Sequence, residues 1–152
     1  MNLEKIKEIE KIISRYEKVG EIEFTSGNYN ESSLLIEKKI PTITTEFCEI
    51  GSYGDTVYFT FVIYSDSYHS ELIDILKEFS NFEIYGFKSF LDNYDLKNLE
   101  NEVKKEKYFQ INFNYSISQD DKFLSDQYQK IKGILKNKVE IVNQLEIDLT
   151  KG

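Results

Sequence analysis

The chain has 152 residues, of which 40% are hydrophobic and 30% are charged, and its formal net charge is −8. This length fits one domain with a real core, so the composition argues against a largely disordered chain. An acidic surface repels phosphate backbones, which disfavours nucleic-acid binding and would suit a basic partner.

The cysteine count and the absence of long apolar runs indicate the compartment. Cys48 is the only cysteine, so no intrachain disulfide can form. The N-terminal segment is charged throughout and lacks an apolar signal core. No run of the sequence approaches the roughly 18 apolar residues of a membrane span. These features predict a soluble cytoplasmic protein with no membrane contact.

The N-terminal part predicts one helix and several short strands. Apolar residues spaced three and four apart indicate an amphipathic helix over about 2–18, with Gly20 as its stop. Three strand-like segments follow, separated by a polar loop at 26–33 and by Pro41. These segments are EIEF at 21–24, LLIEKKI at 34–40 and TITTEFCEI at 42–50. The loop at 51–55, which contains two glycines, is predicted to close a hairpin onto the next strand.

The rest of the chain uses one order of elements twice, strand–helix–strand, in 56–90 and in 108–149. A short, highly charged helix is predicted between these units, over about 94–106. Ser118 or Asp120 is the candidate N-cap of the second unit's helix. The predicted strands lie at 57–64, 82–90, 108–117 and 139–149, and the predicted helices lie at about 69–80 and between that cap and Asn137.

Two such units predict an α+β fold, with a mostly antiparallel sheet and the βαβ units in a ferredoxin-like layout. The chain is then a single domain, 1–152, in which an N-terminal helix and β-hairpin extension (1–54) precedes a double βαβ core (55–149). Strands 57–64 and 108–117 would occupy the middle of the sheet. The alternative is an α+β fold with a long N-terminal meander and helices packed on one side.

The two central strands alternate in character, and successive side chains of a strand point to opposite faces of the sheet. In the first strand, one face is wholly apolar and is predicted to be core; it consists of Val57, Phe59, Phe61 and Ile63. The other face of both strands is rich in tyrosines and amides and is the candidate binding surface. Its residues are Tyr58, Thr60, Tyr64, Tyr108, Gln110, Asn112 and Asn114. Alternatively, helix 2–18 covers this face and the tyrosines form a second core layer.

The leading hypothesis is a non-enzymatic protein-binding module, with an immunity-, inhibitor- or adaptor-like role, that docks through this aromatic sheet face. Tyrosine is enriched at interfaces because it combines a large apolar body with a polar tip. The partner would be another protein of basic charge, or a second copy of the chain in a homodimer.

The aromatic residues on the central strands also resemble the RNA-recognition motif, in which such residues stack bases. The segment KYFQINFNY at 107–115 supplies a lysine and aromatics, but it lacks the glycine of that motif. RNA binding is therefore the least favoured hypothesis.

A further alternative is a small-molecule sensor or enzyme with a pocket between sheet and helices, using Tyr58, Tyr64, His69 and Tyr108. His69 is the only histidine, and it lies in SDSYHSE at a predicted helix start. Neighbours in sequence at such a position rarely have the geometry of a catalytic triad. No catalytic residue, metal site or cofactor is predicted, since a zinc site needs several His or Cys ligands.

Overall fold

The computed structural model describes residues 2–13, 19–25, 31–36, 48–79, 81–86, 94 and 96–142. Six strands within these residues form one antiparallel sheet. In chain order they are β1 (Val19–Thr25), β2 (Glu31–Ile36), β3 (Cys48–Tyr53), β4 (Thr56–Tyr64), β5 (Phe82–Gly86) and β6 (Tyr108–Ser116). Their order across the sheet is β1–β2–β3–β4–β6–β5, so β4 lies between β3 and β6.

Strands β4 and β6 pair with each other over their full length, from Thr56↔Ser116 to Tyr64↔Tyr108. Both strands are rich in aromatic and β-branched residues, which suit a pleated and partly buried surface. The apolar face of β4 is fully buried along its length; it consists of Val57, Phe59, Phe61 and Ile63. The predicted core face of this strand is therefore confirmed.

Within the described ranges, four α-helices pack on that same face of the sheet. They are α1 (Asn2–Ile13), α2 (Glu71–Leu76), α3 (Leu99–Val103) and α4 (Asp121–Lys138). Each helix contributes buried side chains to one apolar cluster, which also contains the inward-facing residues of β3, β4, β5 and β6. These helix residues are Ile9, Ile13, Leu72, Leu76, Leu99, Val103, Leu124, Tyr128, Ile131 and Leu135. Helices on one face of an antiparallel sheet confirm the predicted α+β class.

Helix α1 lies beside α4 on the core face. The Lys5 ammonium donates to the Gln119 carbonyl at 2.6 Å and pairs with the Asp121 carboxylate at 2.7 Å. The inward side chains of α1, Ile9 and Ile13, are fully buried in the core cluster. The alternative in which this helix covers the tyrosine face is therefore wrong for Asn2–Ile13.

The predicted cap of α4 is confirmed at Asp120. Its carboxylate accepts hydrogen bonds from the backbone N–H groups of Lys122 and Phe123, at 3.1 and 3.3 Å. These bonds satisfy two of the amides that a helix start leaves without intrahelical partners. The helix runs one residue beyond the predicted C-cap, Asn137, and ends at Lys138.

The boundaries of two other helices differ from the prediction. Of the helix predicted over 69–80, the described residues 69–79 are α-helical at Glu71–Leu76. Beyond Leu76, Glu78 and Phe79 donate to carbonyls three residues back, in the tighter 3₁₀ pattern. The helix predicted over 94–106 is a 3₁₀ turn at Leu96–Asn98 followed by α3.

Two predicted loops are partly strand. Residues 31–33, predicted as loop, begin β2, and residues 51–53 belong to β3. The predicted hairpin onto β4 is present, but its turn contains only Gly54 and Asp55. Gly54 has φ 58°, the left-handed conformation that such short turns require and that glycine adopts without strain.

The segment after α4 pairs with the end of β4, beyond Phe61, which is the residue that faces Cys48 of β3. Tyr64 N–H donates to the Glu140 carbonyl at 3.0 Å, and Val142 N–H donates to the Val62 carbonyl at 2.8 Å. Ile63 and Ile141 face each other in an antiparallel bridge. The beginning of the predicted strand 139–149 is thus seen next to β4.

Several predictions fall partly outside the described residues. They are the end of helix 2–18, residues 26–30 of the predicted loop, residues 37–47 of the predicted strands 34–40 and 42–50, residues 87–90 of the predicted strand 82–90, and the last strand after Val142. The ferredoxin-like layout and the two βαβ units therefore remain predictions.

Candidate functional site

The face of the sheet opposite the core carries a polar surface built across four strands. The antiparallel register places Tyr58 beside Asn114 and Thr60 beside Asn112, and it places Glu83 on the other side of Asn112. We term this surface the open face; its residues are Glu49, Tyr58, Thr60, Glu83, Tyr85, Gln110, Asn112 and Asn114. Among the described residues, no helix lies on it, because all four helices pack on the core side.

A chain of hydrogen bonds joins the amides of the open face. Asn112 Oδ1 accepts from Thr60 Oγ1 at 2.8 Å and from Gln110 Nε2 at 3.2 Å. Thr60 is only 4% exposed, and this bond satisfies its hydroxyl group. The two bonds fix which end of the Asn112 amide faces β4.

Glu83 on β5 is held by two neighbours. The Tyr85 hydroxyl donates to its carboxylate, and Asn114 Nδ2 donates to the same carboxylate at 3.4 Å. All three side chains are half-buried. The carboxylate is therefore oriented by hydrogen bonds before any ligand arrives.

These residues line a groove of about 720 Å³. The groove is walled by Glu49, Thr56, Tyr58, Thr60, Asn81, Phe82, Glu83, Tyr85, Gln110, Asn112 and Asn114. Its charged lining residues are two glutamates, and no lysine or arginine lines it among the residues that the structure describes. The groove is therefore polar and acidic.

Tyr58 owes its position to a glycine on the neighbouring strand. Gly51 faces Tyr58 across β3 and β4, and a Cβ atom added at residue 51 would overlap the Tyr58 ring. The ring thus lies against bare backbone, which is a recurrent use of glycine inside a strand.

The seven residues predicted for this surface separate into two groups. Five of them line the groove: Tyr58, Thr60, Gln110, Asn112 and Asn114. Tyr64 and Tyr108 instead form a small apolar cluster with Val62 and Val142, and their ring centroids are 5.7 Å apart. Tyr108 is only 5% exposed, so the expectation that it presents its side chain on an accessible face is wrong.

Sequence reasoning missed three residues of the open face: Glu49, Glu83 and Tyr85. Glu83 and Tyr85 alternate with the buried Ile84 in FEIYG, a period-two signal that was available in the sequence. Which strand lies beside β6 depends on long-range pairing, and a local pattern does not contain that information.

His69 lies at a different place. It lines a depression of about 440 Å³, together with Ser65, Asp66, Tyr68, Ser70, Glu100, Val103, Lys104 and Glu106. His69 Nε2 lies 2.9 Å from the Lys138 carbonyl at the end of α4. Burial, with Glu100 as a second cause, raises the pKa of Tyr68 in this depression. His69 and Tyr58 thus line separate cavities, so the pocket of the small-molecule alternative is not assembled as predicted.

The described residues contain neither a cluster of metal ligands nor a membrane-spanning helix. No group of three or more His, Cys, Asp or Glu side chains in the described ranges could hold a metal ion. Within the same ranges, every helix is too short or too polar to cross a membrane.

No family model matches the chain, and no curated protein matches it. Among solved structures, the chain is similar to a conserved hypothetical protein from Pyrococcus furiosus. The two share 14% sequence identity with a TM-score of 0.68, over 90% of this chain and 93% of the other. At this identity the likeness shows a shared fold.

Proposed function

We propose that the protein is a non-enzymatic binding protein that docks a basic protein through the open face of its sheet. The observation that carries the proposal is the asymmetry of the sheet: all four described helices pack on one face, and the other face forms the polar groove. An antiparallel sheet can leave one face to solvent, and this accessible face is where we place the partner.

The chemistry of the open face suits a protein interface. Tyr58 and Tyr85 supply apolar area with a polar tip, as tyrosines at interfaces do. Gln110, Asn112 and Asn114 supply hydrogen-bonding groups without the cost of desolvating a charge. Most of these side chains already hydrogen-bond to one another, so binding would order few of them.

The charge of the open face favours a basic partner. Glu49 and Glu83 lie on the groove, and the whole chain carries a net charge of −8. A positive partner would be steered toward this surface, whereas two copies meeting face to face would bring glutamates together. An immunity-, inhibitor- or adaptor-like role on a ferredoxin-like sheet is consistent with such a partner.

A matched pair of charge substitutions tests the proposal. Asn112→Lys places a cation in the centre of the groove, and Asn101→Lys makes the same change on the exposed surface of α3. Tagged wild-type and variant proteins would be used to capture interacting proteins from cells, and each captured protein would be titrated as purified material. We expect a basic protein that binds wild type and Asn101→Lys at one-to-one stoichiometry and is lost from Asn112→Lys.

Light scattering across a concentration series provides the second measurement. A dimer that Asn112→Lys dissociates and Asn101→Lys preserves would overturn the basic partner in favour of self-association. Equal binding of a captured partner by both lysine variants would overturn docking at the open face. Melting curves of both variants confirm that a loss of binding does not reflect unfolding.

A further inference from the structure

The hydrogen bonds of the open face use amide nitrogens and leave amide oxygens as acceptors. Gln110 uses its Nε2 group on Asn112, and Asn114 uses its Nδ2 group on Glu83. The carbonyl end of each of these amides therefore remains as an acceptor. Within the described residues, neither Gln110 Oε1 nor Asn114 Oδ1 receives a hydrogen bond.

The acceptors are densest around Glu83. Its carboxylate receives one hydrogen bond from the Tyr85 hydroxyl and one from Asn114 Nδ2. An ionised carboxylate accepts about four hydrogen bonds, so about half of its capacity is left. The Asn114 carbonyl oxygen belongs to the same amide group as that Nδ2, whose hydrogen bond joins Asn114 to Glu83. Both residues line the groove, so both bring available acceptor oxygens to its lining.

A ligand that fits this place must be rich in donors and positively charged. A guanidinium group has five N–H donors in a plane, binds a carboxylate through two parallel hydrogen bonds and stacks on aromatic rings. The Tyr85 hydroxyl contacts the Glu83 carboxylate, so the aromatic ring that carries this hydroxyl is a neighbour of the carboxylate in the groove. An ammonium group has three donors around a point charge and lacks the planar match.

We infer that the basic partner inserts an arginine side chain into the groove, where its guanidinium pairs with Glu83 next to the Asn114 carbonyl and the Tyr85 ring. The inference rests on the proposed function, because it names the group by which the docked protein is recognised. Glu83 is the anchoring anion, and the Tyr85 and Asn114 donors hold it in position. The half-burial of these three residues limits screening of the pair by salt.

The probe is a set of three capped pentapeptides of glycine with one central residue, which is arginine, lysine or citrulline. Binding is followed by two-dimensional NMR of the side-chain amide signals of Gln110, Asn112 and Asn114. We expect the arginine peptide to shift the Asn114 signals in a saturable manner and to bind several-fold more tightly than the lysine peptide. Citrulline keeps the shape without the charge, and we expect it to cause no saturable shift.

Two variants assign the site. Glu83→Gln removes the charge and keeps the size, and we expect it to weaken arginine-peptide binding about fivefold or more. Glu78→Gln removes the same charge from the exposed turn that follows α2 and should leave binding unchanged. Equal affinity for the lysine and arginine peptides would overturn the inference, as would unchanged binding by Glu83→Gln.

The same variants separate this inference from the proposed function. If a captured partner is lost from Asn112→Lys but binds Glu83→Gln as well as wild type, the arginine pairing fails and docking at the open face stands. If the partner also binds Asn112→Lys normally, the proposed function itself fails.

Discussion

The two faces of strands β4 and β6 come from alternate residues of the same segments, yet different forces hold them. On the core face, aromatic rings pack edge to face or stacked: Phe61 lies 6.1 Å from Phe113 and 5.8 Å from Tyr128, centroid to centroid. On the open face, the contacts are hydrogen bonds between amides, carboxylates and hydroxyls, such as the bond from the buried Thr60 to the half-buried Asn112.

This contrast shows how one pair of strands separates stability from recognition. Burial of large apolar side chains stabilises a fold by several kcal/mol per residue, whereas a side-chain hydrogen bond contributes about 1 kcal/mol net. The core face therefore carries most of the stability. The open face can vary in chemistry at small cost to the fold.

The largest effect expected from this contrast is between adjacent residues of β6. Phe113→Ala removes a fully buried ring that contacts Phe61, Phe79 and Phe82, and we expect a loss of about 3–5 kcal/mol in the free energy of unfolding. Asn112→Ala should cost less, about 1–2 kcal/mol, because it removes two hydrogen bonds and leaves the buried Thr60 hydroxyl without this acceptor. Urea denaturation measures both, and similar losses for the two variants would contradict the separation.

A second difference is expected within the open-face strands themselves. Tyr108→Ser should lower the free energy of unfolding by about 2–4 kcal/mol, because this ring is buried against Val62 and Val142. Tyr58→Ser should cost about 1 kcal/mol, since its ring is only half-buried. Thermal and urea unfolding of both variants would measure this difference in the free energy of unfolding. An equal cost for the two variants would mean that Tyr58 is buried as deeply as Tyr108.

Gly51 gives a smaller effect that reports on the Tyr58 ring. Gly51→Ala should destabilise the protein by about 1–3 kcal/mol, because the added methyl group meets that ring. In a Tyr58→Ala background most of this cost should vanish, which a double-mutant cycle measures as coupling. Gly133→Ala on α4 is the control: its new Cβ meets nothing within 4 Å, so we expect a slight gain in stability. Equal costs of Gly51→Ala in both backgrounds would exclude the contact.

A further prediction is a dependence on alkaline pH that belongs to the core face. Burial raises the pKa of Tyr115 to about 12, above the ordinary value of 10.0. Folding therefore favours the neutral phenol. The contribution of Tyr115 to the free energy of unfolding is complete below pH 10 and is lost as pH rises from 10 to 12. Tyr115→Phe should lose less stability over that interval, as measured by urea denaturation at each pH. An identical pH dependence in wild type and variant would contradict the assignment.

Local patterns in the sequence predicted much of this contrast. Period-two alternation identified the buried face of β4, and the residue types before α4 included its cap, Asp120. Asp120 was predictable because capping depends only on the neighbouring amides. The lengths of α2 and α3 were not predictable in this way, because tighter turns replace α-helical hydrogen bonds at the ends of these helices.

The composition of the groove depended on information that no local pattern holds. Glu83 and Asn114 are distant in sequence, and they meet only because β5 pairs with β6. Tyr108 looked like a residue of the open face, but Val142 from the end of the described chain covers it. The omission of Glu83 and the assignment of Tyr108 to the open face have one physical origin: the whole sheet, and no local segment, determines which strands pair.

The neighbours of β4 also determine when its edges are covered during synthesis. Its hairpin partner β3 is made immediately before it, but β6 comes much later in the chain, and the segment at 140–142 comes last. The intervening β5 cannot protect β4, because β5 itself pairs with β6. A nascent chain that has passed residue 64 but has not reached residue 116 therefore presents an unpaired strand edge beside Phe59 and Phe61, and such an edge is a template for aggregation. The growing chain is thus most vulnerable to aggregation during the interval in which 65–116 is made.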